Sequence, residues 1–166
     1  MKVVDNFLYD SLYNNIKDRL DSLSYQLVDK HKGSRKFEAS LDAETQSSIK
    51  DCYSQKVGNP VGYFDASVVR CEPGYQYNIH ADHPDKLVST VVYLCPDKGN
   101  GTLFLKNQEG NTTTFCEVIW FPNRLVSWVN SGQEHMYENT TSDVRYTLNI
   151  YQKKDLSGFF VEPINE

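Results

Sequence analysis

At Gly62 the chain changes its hydrophobic period, and that change bounds the fold. Before it, apolar residues recur at three- and four-residue spacing. After it come short runs rich in β-branched and aromatic residues, read at 66–71, 75–79, 87–94, 102–106, 112–121, 125–129 and 145–152. Turn chemistry separates them at Pro73-Gly74, 96–101, Glu109-Gly110-Asn111, Pro122-Asn123 and 130–132. Helices followed by an unbroken series of strands predict an α+β fold whose strands close into a sandwich or barrel.

Two helices are expected in the first part. Asp5 or Asn6 caps a segment in which Phe7, Leu8, Leu12, Ile16 and Leu20 share a face. Asp42 caps a second one running through Ile49 to about Tyr53, ended by Gly58-Asn59-Pro60. Between them Lys30, His31, Lys32, Gly33, Ser34, Arg35 and Lys36 read as a short basic loop, solvated in preference to the alternative of touching an anionic substrate. The 166 residues are expected to form one domain, with a helical part over about 1–60 and a β core over about 63–155.

The formal charge of -5 offers no general attraction to phosphate, so a nucleic-acid partner is not expected. Cys52, Cys71, Cys95 and Cys116 form no C-x-x-C pair, which argues against a zinc ribbon or a disulfide framework and for reduced thiols. No stretch reaches the length of a membrane helix and the start lacks an apolar leader, so no membrane partner and a cytoplasmic location are expected. The N-x-T sequons at Asn100, Asn111 and Asn139 are read as coincidence.

The chemistry is carried by Tyr77-Asn78-Ile79-His80-Ala81-Asp82, an H-x-D pair answered later by His135 and Arg145. Two imidazoles and one carboxylate on one side of a metal leave coordination positions open, an arrangement suited to non-haem Fe(II) oxygen chemistry. In an extended strand Asn78, His80 and Asp82 point one way and Tyr77 and Ile79 the other. His83 offers a rival imidazole, but a turn after the strand carries it and Pro84 toward solvent; His31 is a bystander. Arg145 opens the last run, where its guanidinium can clamp a carboxylate bidentately. Trp120, Trp128, Phe104 and Phe121 are assigned to packing, and Arg124 and Lys106 to solvent.

With those residues in view the chain resembles a 2-oxoglutarate and Fe(II)-dependent dioxygenase of the prolyl 4-hydroxylase-like branch. Val3-Val4-Asp5-Asn6-Phe7-Leu8 is similar to that branch's lead-in, Gly74-x-x-Tyr77-x-x-His80-x-Asp82 to its first iron motif, and Val91-Val92-Tyr93-Leu94 to its third core strand. The resemblance implies a double-stranded β-helix (jelly-roll) core with N-terminal helices packed on it. It implies His80, Asp82 and His135 as metal ligands, and Arg145, assisted by Tyr93, at the distal 2-oxoglutarate carboxylate. Thr147 would line the cosubstrate pocket, and Tyr77 or Asn78, beside the metal, would help hold cosubstrate or substrate. It further implies Fe(II), 2-oxoglutarate and O2, with ascorbate as reductant, and hydroxylation of an unactivated C–H bond, prolyl residues of a peptide or protein being the favoured substrate. The same donor set also suits zinc. Alternative functions are a non-catalytic metal- or ligand-binding jelly-roll module, and an oxygenase acting on a small metabolite or nucleobase.

Overall fold

The computed structural model describes residues 1–108 and 111–154; the turn read at Glu109-Gly110 and the end of the chain from residue 155 lie outside the described residues. The elements run β1 (Lys2–Val4), α1 (Asp10–Arg19) with a single 3-10 turn after it, β2 (Gln26–His31), β3 (Ser34–Ser40), α2 (Ala43–Lys56), β4 (Tyr63–Cys71), β5 (Gln76–His80) and β6 (Lys86–Cys95). They continue with β7 (Thr102–Gln108), β8 (Asn111–Val118), β9 (Leu125–Val129), β10 (His135–Glu138) and β11 (Arg145–Lys153). One sheet has the order β1-β9-β6-β11-β4-β3-β2 and the other β5-β10-β7-β8, with every pairing antiparallel. From β4 onward the chain passes back and forth between the sheets, which is the jelly-roll core of an α+β fold.

The two faces of β11 explain the layering. Tyr146, Leu148 and Ile150 join Phe7, Leu8, Ile16, Leu20, Ile49 and Tyr53 in one buried cluster, so both helices cover the outer face of the large sheet. Full burial of Leu148 and Ile150 is worth about 1.5–3 kcal/mol each. Arg145, Thr147, Asn149, Tyr151 and Lys153 alternate with them and face inward. Asp42 caps α2 as expected, accepting the Thr45 backbone N–H at 2.8 Å.

Four features depart from expectation. The first helix starts at Asp10, after Phe7 and Leu8, because Asn6 adopts a left-handed φ of 51° that no helical turn accommodates. Asn123 pins that entry: its side chain bonds both the N–H and the C=O of Leu8 at 2.8 Å. The basic loop is instead a β-hairpin. Lys32 and Gly33, with φ of 49° and 87°, form the two-residue turn whose twist suits paired strands, and β3 then pairs with β4. The part before residue 60 is therefore not purely helical; it adds three strands to the large sheet. The run at 112–121 ends as a strand at Val118, and His135 starts a strand of its own.

Candidate metal centre

His80 and His135 are register partners on the neighbouring strands β5 and β10, which brings their rings to a centroid separation of 4.2 Å. The next pair is Tyr137 with Tyr77, so β5 spends three residues where β10 spends two. This β-bulge corrects the alternation expected for the motif. Tyr77 turns to the same side as His80, with ring centroids 4.2 Å apart, while Asn78 and Ile79 are exposed. Asp82, just beyond the strand, is buried and completes the group: among the described residues His80, Asp82 and His135 place ligand atoms all within 4.8 Å of one another.

Each imidazole is oriented by its own strand. His80 Nδ1 lies 2.8 Å from the Asn78 carbonyl and His135 Nδ1 3.2 Å from that of Gln133. A carbonyl can only accept, so Nδ1 carries the proton and the Nε2 lone pair remains for a metal. His135 Nε2 points at Asp82 Oδ2, 3.9 Å away. Lys86 holds the other oxygen, Oδ1, at 2.9 Å, and the Trp128 indole donates to Oδ2 at 3.1 Å. Trp128 packs on His135 as expected, at 4.8 Å, but its N–H also orients the carboxylate.

The protonation states suit ligation. Burial pushes His80 down to about 4, an effect to which His135 adds, and burial likewise lowers His135 against the opposing pull of Asp82. Burial works to raise Asp82, but Lys86 outweighs it and the carboxyl sits below its ordinary value. Near neutral pH the set is thus two neutral imidazoles and one carboxylate, which fits a divalent first-row metal. His83 is half exposed and turned to Asp85, at 3.3 Å, outside this group.

The triad opens into a cavity of about 590 Å³ whose wall includes Tyr77, Lys36, Glu38, Tyr137, Asn149 and Tyr151. Tyr77, His80, Asp82 and His135 line it; Arg145, Tyr93 and Thr147 do not reach its wall. Arg145 lies beneath Tyr137, whose ring centroid is 4.2 Å from the guanidinium carbon, with Trp120 at 5.1 Å. It is 2% exposed, and among the described residues its Nε and Nη2 have no hydrogen-bond partner. Donors buried without partners are costly, and an anion such as a carboxylate brought to them would offset that cost. Tyr93 stacks on Trp120, and its phenol is engaged with Thr102 (N–H to phenol oxygen, 2.9 Å). The Thr147 hydroxyl donates to Asn149 Oδ1 at 3.0 Å, within a polar ladder along the inner face of β11.

Sequence reasoning missed Lys36, Lys86 and Tyr137. Tyr137 was accessible in principle, being two residues from His135 on one strand face. Lys36 required recognition of the hairpin.

No family model matches the chain, and no curated protein matches its sequence. Solved structures do share its fold. A Pseudomonas putida prolyl-4-hydroxylase superposes with a TM-score of 0.66 at 16% identity, over 92% of this chain and 91% of that one. A prolyl hydroxylase from Trichoplax adhaerens, in complex with a hypoxia inducible factor oxygen degradation domain peptide fragment, gives 0.66 at 16% identity over 95% and 86%. An oxidoreductase of the 2OG-Fe(II) oxygenase family from Burkholderia pseudomallei gives 0.59 at 11% over 85% and 78%.

Proposed function

We propose that the chain, as one domain over residues 1–166, is an Fe(II)- and 2-oxoglutarate-dependent dioxygenase that hydroxylates prolyl residues in a peptide or protein. The observation that carries this reading is the pairing of an inward-facing His80–Asp82–His135 donor set with the buried Arg145 guanidinium, whose Nε and Nη2 have no partner among the described residues. The fold shared with two prolyl hydroxylases, one of them bound to a peptide, supports the reaction class and the substrate.

When bound, iron, 2-oxoglutarate and O2 supply oxidative decarboxylation to succinate and CO2 and the oxidising power for the C–H bond, with ascorbate as reductant. This chain's residues provide the geometry. His80, Asp82 and His135 would hold the metal. Lys86 holds Asp82 Oδ1 and Trp128 keeps Oδ2 in place, so Oδ2 would be the oxygen left for the ion. Arg145, covered by Tyr137, would take the distal carboxylate of the oxo acid, with the buried Thr147 and Tyr93 shaping the surrounding interior. Phe104 and Trp128 pack on His135 and keep water from its ring. Tyr77 walls the substrate side.

A cytoplasmic location accompanies this proposal, since the four cysteines are free thiols, suited to a reducing compartment. No helix among the described residues is long and apolar enough to cross a membrane. The net charge of -5 argues against nucleic acid as substrate. Succinate release measured across prolyl peptides, free amino acids and oligonucleotides tests the proposal. Prolyl peptides are expected to stimulate release several-fold; stimulation by oligonucleotides alone would move the substrate to another class.

A further inference from the structure

Beyond the triad, the cavity continues onto the β2–β3 hairpin. The small sheet ends at β5, whereas the large sheet extends through β4 to β3 and β2, and Gln26, Lys36, Glu38 and Ser40 from that extension line the same volume as His80 and His135. Lys36 and Glu38 are two residues apart on one strand and share its inner face. Glu38 is engaged by the Ser67 hydroxyl.

Lys36 differs from the other lysines on the wall. Lys86 pairs with Asp82 at 2.9 Å and Lys153 with Asp65 at 3.6 Å. Among the described residues no carboxylate comes within ion-pairing distance of Lys36; its ammonium instead sits 4.2 Å from the centroid of the Tyr77 ring, which itself touches His80. Lys36 is partly buried, and an ammonium partly withdrawn from water with no direct ion pair gains from an incoming anion. The Tyr77 and Tyr137 rings, 5.5 Å apart, divide this cation from Arg145: Lys36 lies on Tyr77 and Arg145 on Tyr137. The interior therefore holds two separate cationic stations, and the cosubstrate's distal carboxylate needs one. Glu38 beside Lys36 disfavours a dianion, so the second station suits a monoanionic carboxylate rather than a phosphate.

We propose that Lys36 is a specificity-determining residue that receives a carboxylate carried by the substrate, an inference that rests on the dioxygenase reading of the metal centre. Free α-carboxylates and acidic side chains of a peptide share this chemistry, and binding separates them. Calorimetric titration of the Fe(II)- and 2-oxoglutarate-loaded protein, held anaerobic, compares L-proline with L-prolinamide, and a short prolyl peptide bearing Glu beside the proline with its Gln counterpart. In at least one pair the carboxylate member is expected to bind about 10-fold tighter, roughly 1.4 kcal/mol, and the pair that shows it identifies the source. Lys36→Gln erases the preference, Lys36→Arg retains it, and Lys36→Gln leaves 2-oxoglutarate affinity unchanged.

Equal binding of acid and amide in both pairs, absence of binding by all four probes included, overturns the proposal. So does a preference that survives Lys36→Gln, or a loss of 2-oxoglutarate affinity in that variant, which would make Lys36 a cosubstrate ligand. Should Lys36→Gln not fold, the acid-against-amide comparison in the wild-type protein still decides. A wild-type protein that fails to bind 2-oxoglutarate at its metal strikes the dioxygenase reading itself; with that binding intact, each outcome bears on Lys36 alone.

Discussion

His80→Ala is expected to abolish Fe(II) binding and with it succinate formation, whereas His83→Ala is expected to leave both at wild-type levels. His80 presents Nε2 toward its register partner across β5 and β10, with Nδ1 held by the Asn78 carbonyl. His83 lies past the strand, half exposed and turned to Asp85. Two remaining protein donors hold a labile metal poorly, because a first-row ion gains specificity from donor number and geometry. Since β5 is an edge strand and His80 only half-buried, the variant keeps the fold. Metal content after desalting, read beside a thermal melt, checks both variants, and the opposite pattern would assign the ligand to His83.

The second large effect is at Arg145. Arg145→Leu is expected to weaken 2-oxoglutarate binding by about 2–5 kcal/mol, the cost of truncating one partner of a buried charged pair, or roughly 30- to 5,000-fold. Metal affinity stays unchanged, because Arg145 touches Trp120 and Tyr137 and none of the three metal donors. Without cosubstrate the guanidinium is buried with Nε and Nη2 unpartnered among the described residues, so an apolar side chain of similar bulk is expected to leave the ligand-free protein as stable or more stable. Affinity lost while stability holds is the signature of a ligand-binding arginine. Unchanged 2-oxoglutarate affinity would move the distal carboxylate to another cation, with Lys36 the first candidate.

The β core was legible because its period is local: strands at 87–94, 125–129 and 145–152 carry alternation that no helix shares, and they fall within one residue of β6, β9 and β11. The His80, Asp82 and His135 donors were legible as residue types, since few side chains bind metals. What stayed hidden depends on contacts between distant segments. The β5 bulge that turns Tyr77 beside His80 arises from pairing with β10, and nothing in Tyr77-Asn78-Ile79-His80 announces it. The β2–β3 hairpin was obscured by a polar run whose turn is Lys32-Gly33 rather than Asn-Gly. Trp128 looked like core packing because its hydrogen bond to Asp82 spans 46 residues. Arg145 was visible as a cation, but its cover by Tyr137 was not.

The claim at the centre of this account is that one cavity holds Fe(II) through His80, Asp82 and His135 and a 2-oxo acid beside it. Anaerobic titration of the metal-loaded protein with 2-oxoglutarate tests it most directly. The account predicts the weak visible charge-transfer band of a 2-oxo acid chelated to Fe(II), saturating at one equivalent and absent in His135→Ala. A folded, iron-loaded protein that develops no such band would contradict it.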